Sequence, residues 1–508
     1  MSEKNLKIAK NTIFLYIRMG ISMIVSLYTS RVVLNALGVE DFGIWGVIGG
    51  LVAMFLFLNN ALSSSTSRFL TFSLGKGDKK ELSEIFNASL IIHLFVAVIV
   101  IFLCETIGVW FLNHKMVIPE NRMFAAHVVF HFSVVISALS IVLVPFNSMI
   151  IAYERMNIFA YLTISDTLFK LLIAWLLLTF TSNRLIYYAV MMFIVSFINA
   201  LFYFIYCRRR FTEIKFQIIK DTRLYKSLTS FTTWSLFGNL AYVGYTQGLN
   251  LLLNIFFGPV VNAARAISSQ VEQTIRTFTL NFQTAINPQI IKSYAQRDFE
   301  DMHKLIFASS KYSFFLLLIL SMPVMLETEQ ILIIWLKNVP EYTPSFIRIM
   351  LLIIMMETMS NSIMTSVTAT GNIKVYHSVV GTILLLIVPI SYLVLKLGGT
   401  PLSVFYVYLI IEVLACMARI LIVRPMIKLS IKKYLNKVVY VSTRVGILSC
   451  ILPLVLLFLL EGNVYRFILV TLSSLLSSFG AIYYWGLSIE ERHFVNIKVR
   501  NVVTKLKK

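Results

Sequence analysis

Ser73-Leu-Gly-Lys-Gly-Asp78 recurs in outline 220 residues later as Ser293-Tyr-Ala-Gln-Arg-Asp298. Each copy follows a glycine by 35 residues, Gly38 in the first case and Gly258 in the second. At the same offset Ala88-Ser89 matches Ala308-Ser309, and with a slip to 217 Ala152 matches Ala369. One such match is weak, but a common order is what internal duplication leaves in a sequence. The matches set six apolar segments against six and leave two more at the C-terminal end.

Composition decides what those segments are. Of 508 residues, 58% are hydrophobic and 14% charged, with a mean hydropathy of +0.81. A soluble domain is nearer half apolar and about a quarter charged. At roughly 20 apolar residues per span, about 295 such residues fill roughly fourteen membrane helices. The first, from Thr12 to Leu37, is too long for a signal-peptide core and lacks a small-residue cleavage site, so it is expected to stay in the protein. The others are expected near 42–74, 84–112, 122–152, 157–180, 185–207, 227–257, 259–291, 305–336, 345–370, 374–396, 402–424, 441–460 and 464–487. The fold class is therefore all-α and polytopic: a lobe over 1–210, a second over 211–430, and two added helices with a basic tail over 431–508. Even-numbered halves share one orientation, the parallel-repeat arrangement of transporters whose halves rock about a central site.

Loop charge sets the orientation, because cytosolic connections keep Lys and Arg. One alternate set of connections carries 29 Lys and Arg. The other carries only Lys115, Arg122, Arg184, Lys337, Lys396 and Arg466. Both termini are thus expected in the cytosol, and the net charge of +21 points to membrane lipid as its partner, not to nucleic acid. Connections are too short for a soluble catalytic domain. Walker A, HExxH and nucleophile-elbow patterns are missing, so no enzyme and no cofactor is expected. Cys104, Cys207, Cys416 and Cys450 have no metal or disulfide spacing. His93, His127 and His131 read as satisfied core histidines and imply no metal site. Gly43, Gly46, Gly49 and Gly50, inside an apolar helix, read as close helix packing.

Function must then lie on intramembrane polar groups, each costly in hydrocarbon. Arg265, Glu272 and Arg276 are 7 and 11 residues apart and fall on one helix face at about 100° per residue. With Asn262, Ser269 and Gln273 they form a polar stripe. It reads either as an ion-pair ladder between helices or as a cavity wall with net positive charge. Arg18, Arg31 and Arg68 are further anion-binding candidates, although Arg18 and Arg68 are near enough to the cytosolic end to snorkel. Asp166 and Lys170, at i and i+4, suit a local ion pair. Glu357 and Glu412 sit near mid-membrane and are candidates, with Asp166 and Glu272, for coupling a sodium ion or proton; Glu412 is also one heptad from Arg419.

Ser30-Arg-Val-Val-Leu-Asn-Ala-Leu-Gly38-Val-Glu-Asp-Phe42-Gly43-Ile-Trp45, then Ser67-Arg68-Phe69 and Gly75-Lys-Gly-Asp78, resembles the N-terminal signature of the Wzx-like polysaccharide flippases. These belong to the multidrug/oligosaccharidyl-lipid/polysaccharide (MOP) exporter superfamily. The resemblance implies a MATE-like alternating-access transporter in the bacterial cytoplasmic membrane. Its substrate would be an undecaprenyl-diphosphate-linked oligosaccharide for O-antigen, capsule or exopolysaccharide, its partners other polysaccharide-assembly proteins, and its drive a Na+ or H+ gradient or the membrane potential. Relatives line the cavity with Arg and Lys, which marks Arg31, Arg265 and Arg276, then Arg18, Arg68 and Lys170. The drug-exporting branch uses a membrane acid, in some members an Asp on the first helix. Thr12–Leu37 contains none. A cation-coupled multidrug exporter and a polysaccharide-assembly membrane enzyme are the alternatives.

Overall fold

A computed structural model describes residues 3–53, 56–114, 116, 118–180, 183–211, 216–336, 339–493 and 496. Lys115, Lys215, Lys337 and the basic residues of 497–508 lie outside the described residues. All fourteen expected segments are helical, and no strand occurs among the described residues. The first unit, from Lys7 to Asn239, contains α1 (Glu3–Ala53), α2 (Leu56–Lys76), α3 (Lys79–Leu103), α4 (Val109–His114), α5 (Met123–Ala152), α6 (Met156–Leu176) and α7 (Arg184–Arg210). α8 (Thr222–Phe257) carries the boundary. The second unit, from Leu240 onward, adds α9 (Pro259–Ala295), α10 (Phe299–Leu326), α11 (Thr328–Leu336), α12 (Thr343–Thr370), α13 (Lys374–Leu385), α14 (Ile387–Lys396), α15 (Ser403–Ile427), α16 (Ile431–Tyr434), α17 (Val441–Leu459) and α18 (Val464–Ala481).

Among the described residues, eleven helices are long and apolar enough to cross a membrane, three fewer than the expected fourteen. The three outside this group correspond to 42–74, 227–257 and 259–291, where Ser, Thr, Asn, Gln and charged residues interrupt the apolar run. Their polar groups must be met by protein or water, because hydrocarbon satisfies none of them. α9 is the longest of these at 37 residues, about 56 Å at 1.5 Å per residue.

The duplication extends to backbone detail. Gly38 (φ 79, ψ 170) and Gly258 (φ 78, ψ −170) break the chain in the same way, in a region of φ/ψ space that only glycine enters readily. Asp78 caps α3 by accepting from the Glu81 N–H at 2.9 Å, and Asp298 caps α10 by accepting from the Asp301 N–H at 3.0 Å. The residues before the caps, Gly77 (φ 77) and Arg297 (φ 60), are both left-handed. At the 217 offset, Glu154 (φ 57) matches Gly371 (φ 81), and each donates its N–H to the carbonyl three residues back.

In the first unit, Phe130, Val134, Ile141, Leu112 and Leu185 form one apolar core; Leu70, Phe86, Phe146, Met149 and Cys207 form another. In the second, Tyr245, Phe346, Ile353 and Phe405 pack together. Val445 of α17 and Ala481 of α18 join Phe314, Phe315 and Leu318 of α10, so the two added helices close over that bundle. Gly43, Gly46 and Gly49 do not serve the close packing expected of them: a Cβ built at each would meet nothing within 4 Å among the described residues. Helical spacing alone does not put a partner against a glycine.

Past α18, Glu491 accepts from Lys311 Nζ at 2.8 Å, from the Tyr312 hydroxyl at 2.5 Å and from the Ser488 N–H at 2.7 Å. Burial pushes this carboxyl up, but those three donors outweigh it and hold it below its ordinary value of 4.5. Its stabilisation is therefore complete above that value and is lost as pH falls through the lower folded-state value. Glu491→Gln should lower the thermal unfolding temperature at neutral pH, and the gap from the parent should close on acidification below 4.5. Gly38→Ala or Gly258→Ala should each cost about 1–3 kcal/mol through backbone strain. Arg297→Gly, which copies Gly77 of the first repeat, should stabilise by about 1 kcal/mol, read by denaturation of the purified protein.

Candidate ion-pair site on the ninth helix

The 7- and 11-residue spacing of the α9 stripe places its charges toward α8, α12 and α15. Arg276 Nε donates to Glu272 Oε1 one turn earlier at 2.9 Å. Its two terminal nitrogens straddle Glu357 of α12, at 2.9 Å to Oε1 and 2.5 Å to Oε2. A planar guanidinium can satisfy two carboxylates in this way because its donors are fixed in a fork. Glu357 thus joins the stripe, and two arginines face two glutamates; the α9 residues alone carry one net positive charge.

Arg265 is held differently. It is 4% exposed, yet no carboxylate lies within ion-pair distance among the described residues. Nε donates to Asn250 Oδ1 of α8 at 3.1 Å, Nη1 to the Met350 sulfur of α12 at 3.4 Å, and the guanidinium lies 5.1 Å from the Phe405 ring centroid of α15. An amide oxygen, a thioether and a π face orient the cation without neutralising it. Beside this group, the Tyr245 and Tyr408 hydroxyls are 3.2 Å apart.

A second buried pair lies on α15, where Arg419 Nη1 donates to Glu412 Oε1 at 2.6 Å and to Ser360 Oγ at 2.9 Å. Tyr408, Glu412, Ala415 and Arg419 follow a 4-3-4 spacing on the buried face. Ile410, Leu414, Met417 and Leu421 repeat it on the opposite, exposed face, as a helix requires when one side meets protein and the other lipid.

The candidates of the first unit are dispersed. Lys170 and Asp166 form their i,i+4 pair at 2.7 Å. The Arg18 guanidinium lies 4.8 Å from the Phe159 ring. Buried Arg68 lies against Phe69 at 4.4 Å and Phe72 at 4.7 Å. Arg31 is exposed and makes no ion pair among the described residues. His93 meets the Ser89 carbonyl, His127 meets Asn113 and His131 meets Glu105.

Spacing along one helix identifies Glu272 with Arg276, but not Glu357, which is 81 residues from Arg276 in sequence. Nor does any local pattern mark Asn250, Met350 and Phe405 as the seat of Arg265. Only the packing of four helices assembles them.

Residues 8–294 match the family described as polysaccharide biosynthesis protein. The chain belongs to that family. No curated protein matches. Among solved structures, this polysaccharide biosynthesis protein is similar to a MATE protein in the bent conformation (TM-score 0.74, 15% identity, 84% of this chain and 96% of that one). It is also similar to an outward-facing multidrug resistance MATE family transporter of the MOP superfamily (TM-score 0.71, 15% identity, 83% and 95%). A third is a MOP superfamily transporter from Pyrococcus furiosus whose binding pocket has a reversed polarity that suggests a different function (TM-score 0.71, 15% identity, 83% and 95%). At that identity the likeness establishes the fold alone, here one with eleven helices long and apolar enough to cross a membrane among the described residues.

Removing one partner of a buried pair leaves an uncompensated charge and costs about 3–5 kcal/mol, whereas apolar replacement of both is often neutral. Arg276→Met, which strands both Glu272 and Glu357, should destabilise the protein strongly and more than Glu357→Met, which leaves Arg276 its Glu272 partner. Replacing all three by Met should recover most of the loss, read by thermal denaturation of the single, double and triple variants.

Proposed function

We propose that this polysaccharide biosynthesis protein is an alternating-access transporter. It carries an undecaprenyl-diphosphate-linked oligosaccharide from the cytosolic to the outer leaflet of the bacterial cytoplasmic membrane, for O-antigen, capsule or exopolysaccharide assembly. The observation that carries the reading is Arg265, a buried guanidinium fixed by Asn250, Met350 and Phe405, with no carboxylate within ion-pair distance among the described residues. A cation held this way keeps its charge for an anionic passenger. At about 4 Å and an effective dielectric near 20, one Arg–phosphate charge pair is worth about 4 kcal/mol before desolvation. Arg31, exposed in the first unit, remains a separate anion-binding candidate, while Arg276 holds α9 against α12.

Membership of the polysaccharide family supports a sugar-bearing cargo over a drug. So does the state of the acids: Glu272, Glu357 and Glu412 each accept from an arginine, and a carboxylate engaged in this way is a poor carrier for a coupling cation. An inside-negative membrane potential already drives an anion outward, by about 2.3 kcal/mol per charge per 100 mV. A diphosphate cargo therefore needs no dedicated cation site.

Arg265→Gln should reduce surface polysaccharide by about tenfold or more, as loss of one charge-assisted contact implies, with normal amounts of protein in the membrane. Arg265→Lys should restore part of it. Untranslocated lipid-linked single units should accumulate in the Gln variant. Normal surface polysaccharide in that variant would remove Arg265 from the site. Dye efflux by the parent in a pump-deficient host would favour the multidrug reading, and accumulation of lipid-linked polymer would favour an assembly enzyme.

A further inference from the structure

The start of α1 and the turn between α5 and α6 enclose a cavity of about 470 Å³, lined by Lys7, Lys10, Asn11, Phe14, Tyr153, Glu154, Arg155 and Asn157. That volume is in the range of small-ligand sites. All eight residues belong to the first unit. Three cations against one carboxylate leave two positive charges on the lining.

Glu154 fixes the arrangement. Its side chain is 1% exposed and pairs with Lys7 Nζ at 3.0 Å, and its backbone sits at φ 57, where a non-glycine residue is strained. The equivalent turn of the second repeat has Gly371. An acid therefore occupies a position whose backbone favours glycine, and it pins Lys7 across the cavity. Lys10 and Arg155 have no carboxylate within ion-pair distance among the described residues.

Two further features call for an acceptor. Asn11 is 6% exposed and its amide nitrogen meets no hydrogen-bond partner, a costly state for a buried donor. α6 begins at the cavity edge: Arg155 is its N-cap and has no side-chain acceptor for the first N–H groups. A helix of 21 residues with an uncapped N-terminus favours negative charge there.

The depth of the cavity indicates where an anion would come from. Ile17 of α1 and Tyr161 of α6, each about one turn beyond the last lining residue of its helix, are more than half exposed, as lipid-facing side chains are. The cavity is thus at the polar edge of the apolar layer, the level of lipid headgroups.

We propose that this cavity is a phosphoryl-binding site. Lys10, Arg155, the Asn11 amide and the α6 N-terminus would hold the phosphate oxygens, with Lys7 positioned by Glu154. The phosphoryl group belongs to an anionic lipid headgroup or to a soluble phosphate ester. The site is independent of the cargo proposed above and of Arg265.

The test uses the full chain in phosphatidylcholine nanodiscs, with inorganic diphosphate and phosphatidylglycerol as probes. The variants are Lys10→Ala/Arg155→Ala, which spares the Lys7–Glu154 pair, and Asn11→Asp, which keeps volume but turns the donor into an anion. Saturable diphosphate binding by the parent, weakened about tenfold or more in both variants, as lost charge-assisted contacts require, supports a site open to soluble phosphate. A rise in unfolding temperature with phosphatidylglycerol alone, absent from both variants, supports a lipid headgroup. If Lys10→Ala/Arg155→Ala fails to fold, Asn11→Asp carries the comparison. Equal response of parent and Asn11→Asp to both probes, or no response of the parent to either, overturns the proposal.

Discussion

A guanidinium buried among apolar helices is costly unless it is compensated, and Arg276 is compensated twice. Glu272 meets it along α9 and Glu357 grips it from α12 through two parallel bonds. The contact couples two helices that are far apart in sequence and sets their rotation, because sliding or turning either one separates a buried charge from its partner. Arg419 pairs with Glu412 along α15 and reaches α12 only through the Ser360 hydroxyl. α12 is thus held by an ion pair from α9 and by a charge-assisted hydrogen bond from α15 inside an otherwise apolar bundle. Arg265, between the same helices, is the exception, oriented by groups that leave its charge intact.

The same accounting explains the sparse cations of the expected outer face. Arg122 pairs with Asp41 at 3.2 Å. Arg184 donates to the Ala36 carbonyl at 2.8 Å, which the break at Gly38 leaves without a helical partner. Arg466 binds Glu327 at 3.1 Å and ties the start of α18 to the end of α10. Each offsets the disfavour of placing a cation there by completing a helix end or a buried acid. Both breaks of the duplicated turn depend on glycine, but among the described residues only the first is braced by arginines.

Much of this was legible without coordinates. The 220-residue offset matched Gly38 with Gly258 and Asp78 with Asp298, and the structure makes the first pair chain breaks and the second pair helix caps, because backbone geometry of that kind demands particular residues at particular places. The α9 stripe and the Glu412–Arg419 heptad were readable because helix periodicity converts spacing into a face. The count of spanning helices was less so. The helices over 42–74, 222–257 and 259–295 carry enough polar residues that length alone does not make them membrane spans, and whether protein or lipid surrounds them is a question of packing.

The sequence by itself determined the class of the protein, its segment order, its duplication and the faces on which charges fall, since these follow from composition, periodicity and local backbone preference. Tertiary structure alone decided which charges are spent. It gave Arg276 to Glu357 and left Arg265 to an amide, a sulfur and a ring. It also placed Lys7, Asn11 and Arg155 around one cavity. Those outcomes depend on which helices become neighbours, and a pairing across dozens of residues leaves no trace in the spacing of either partner.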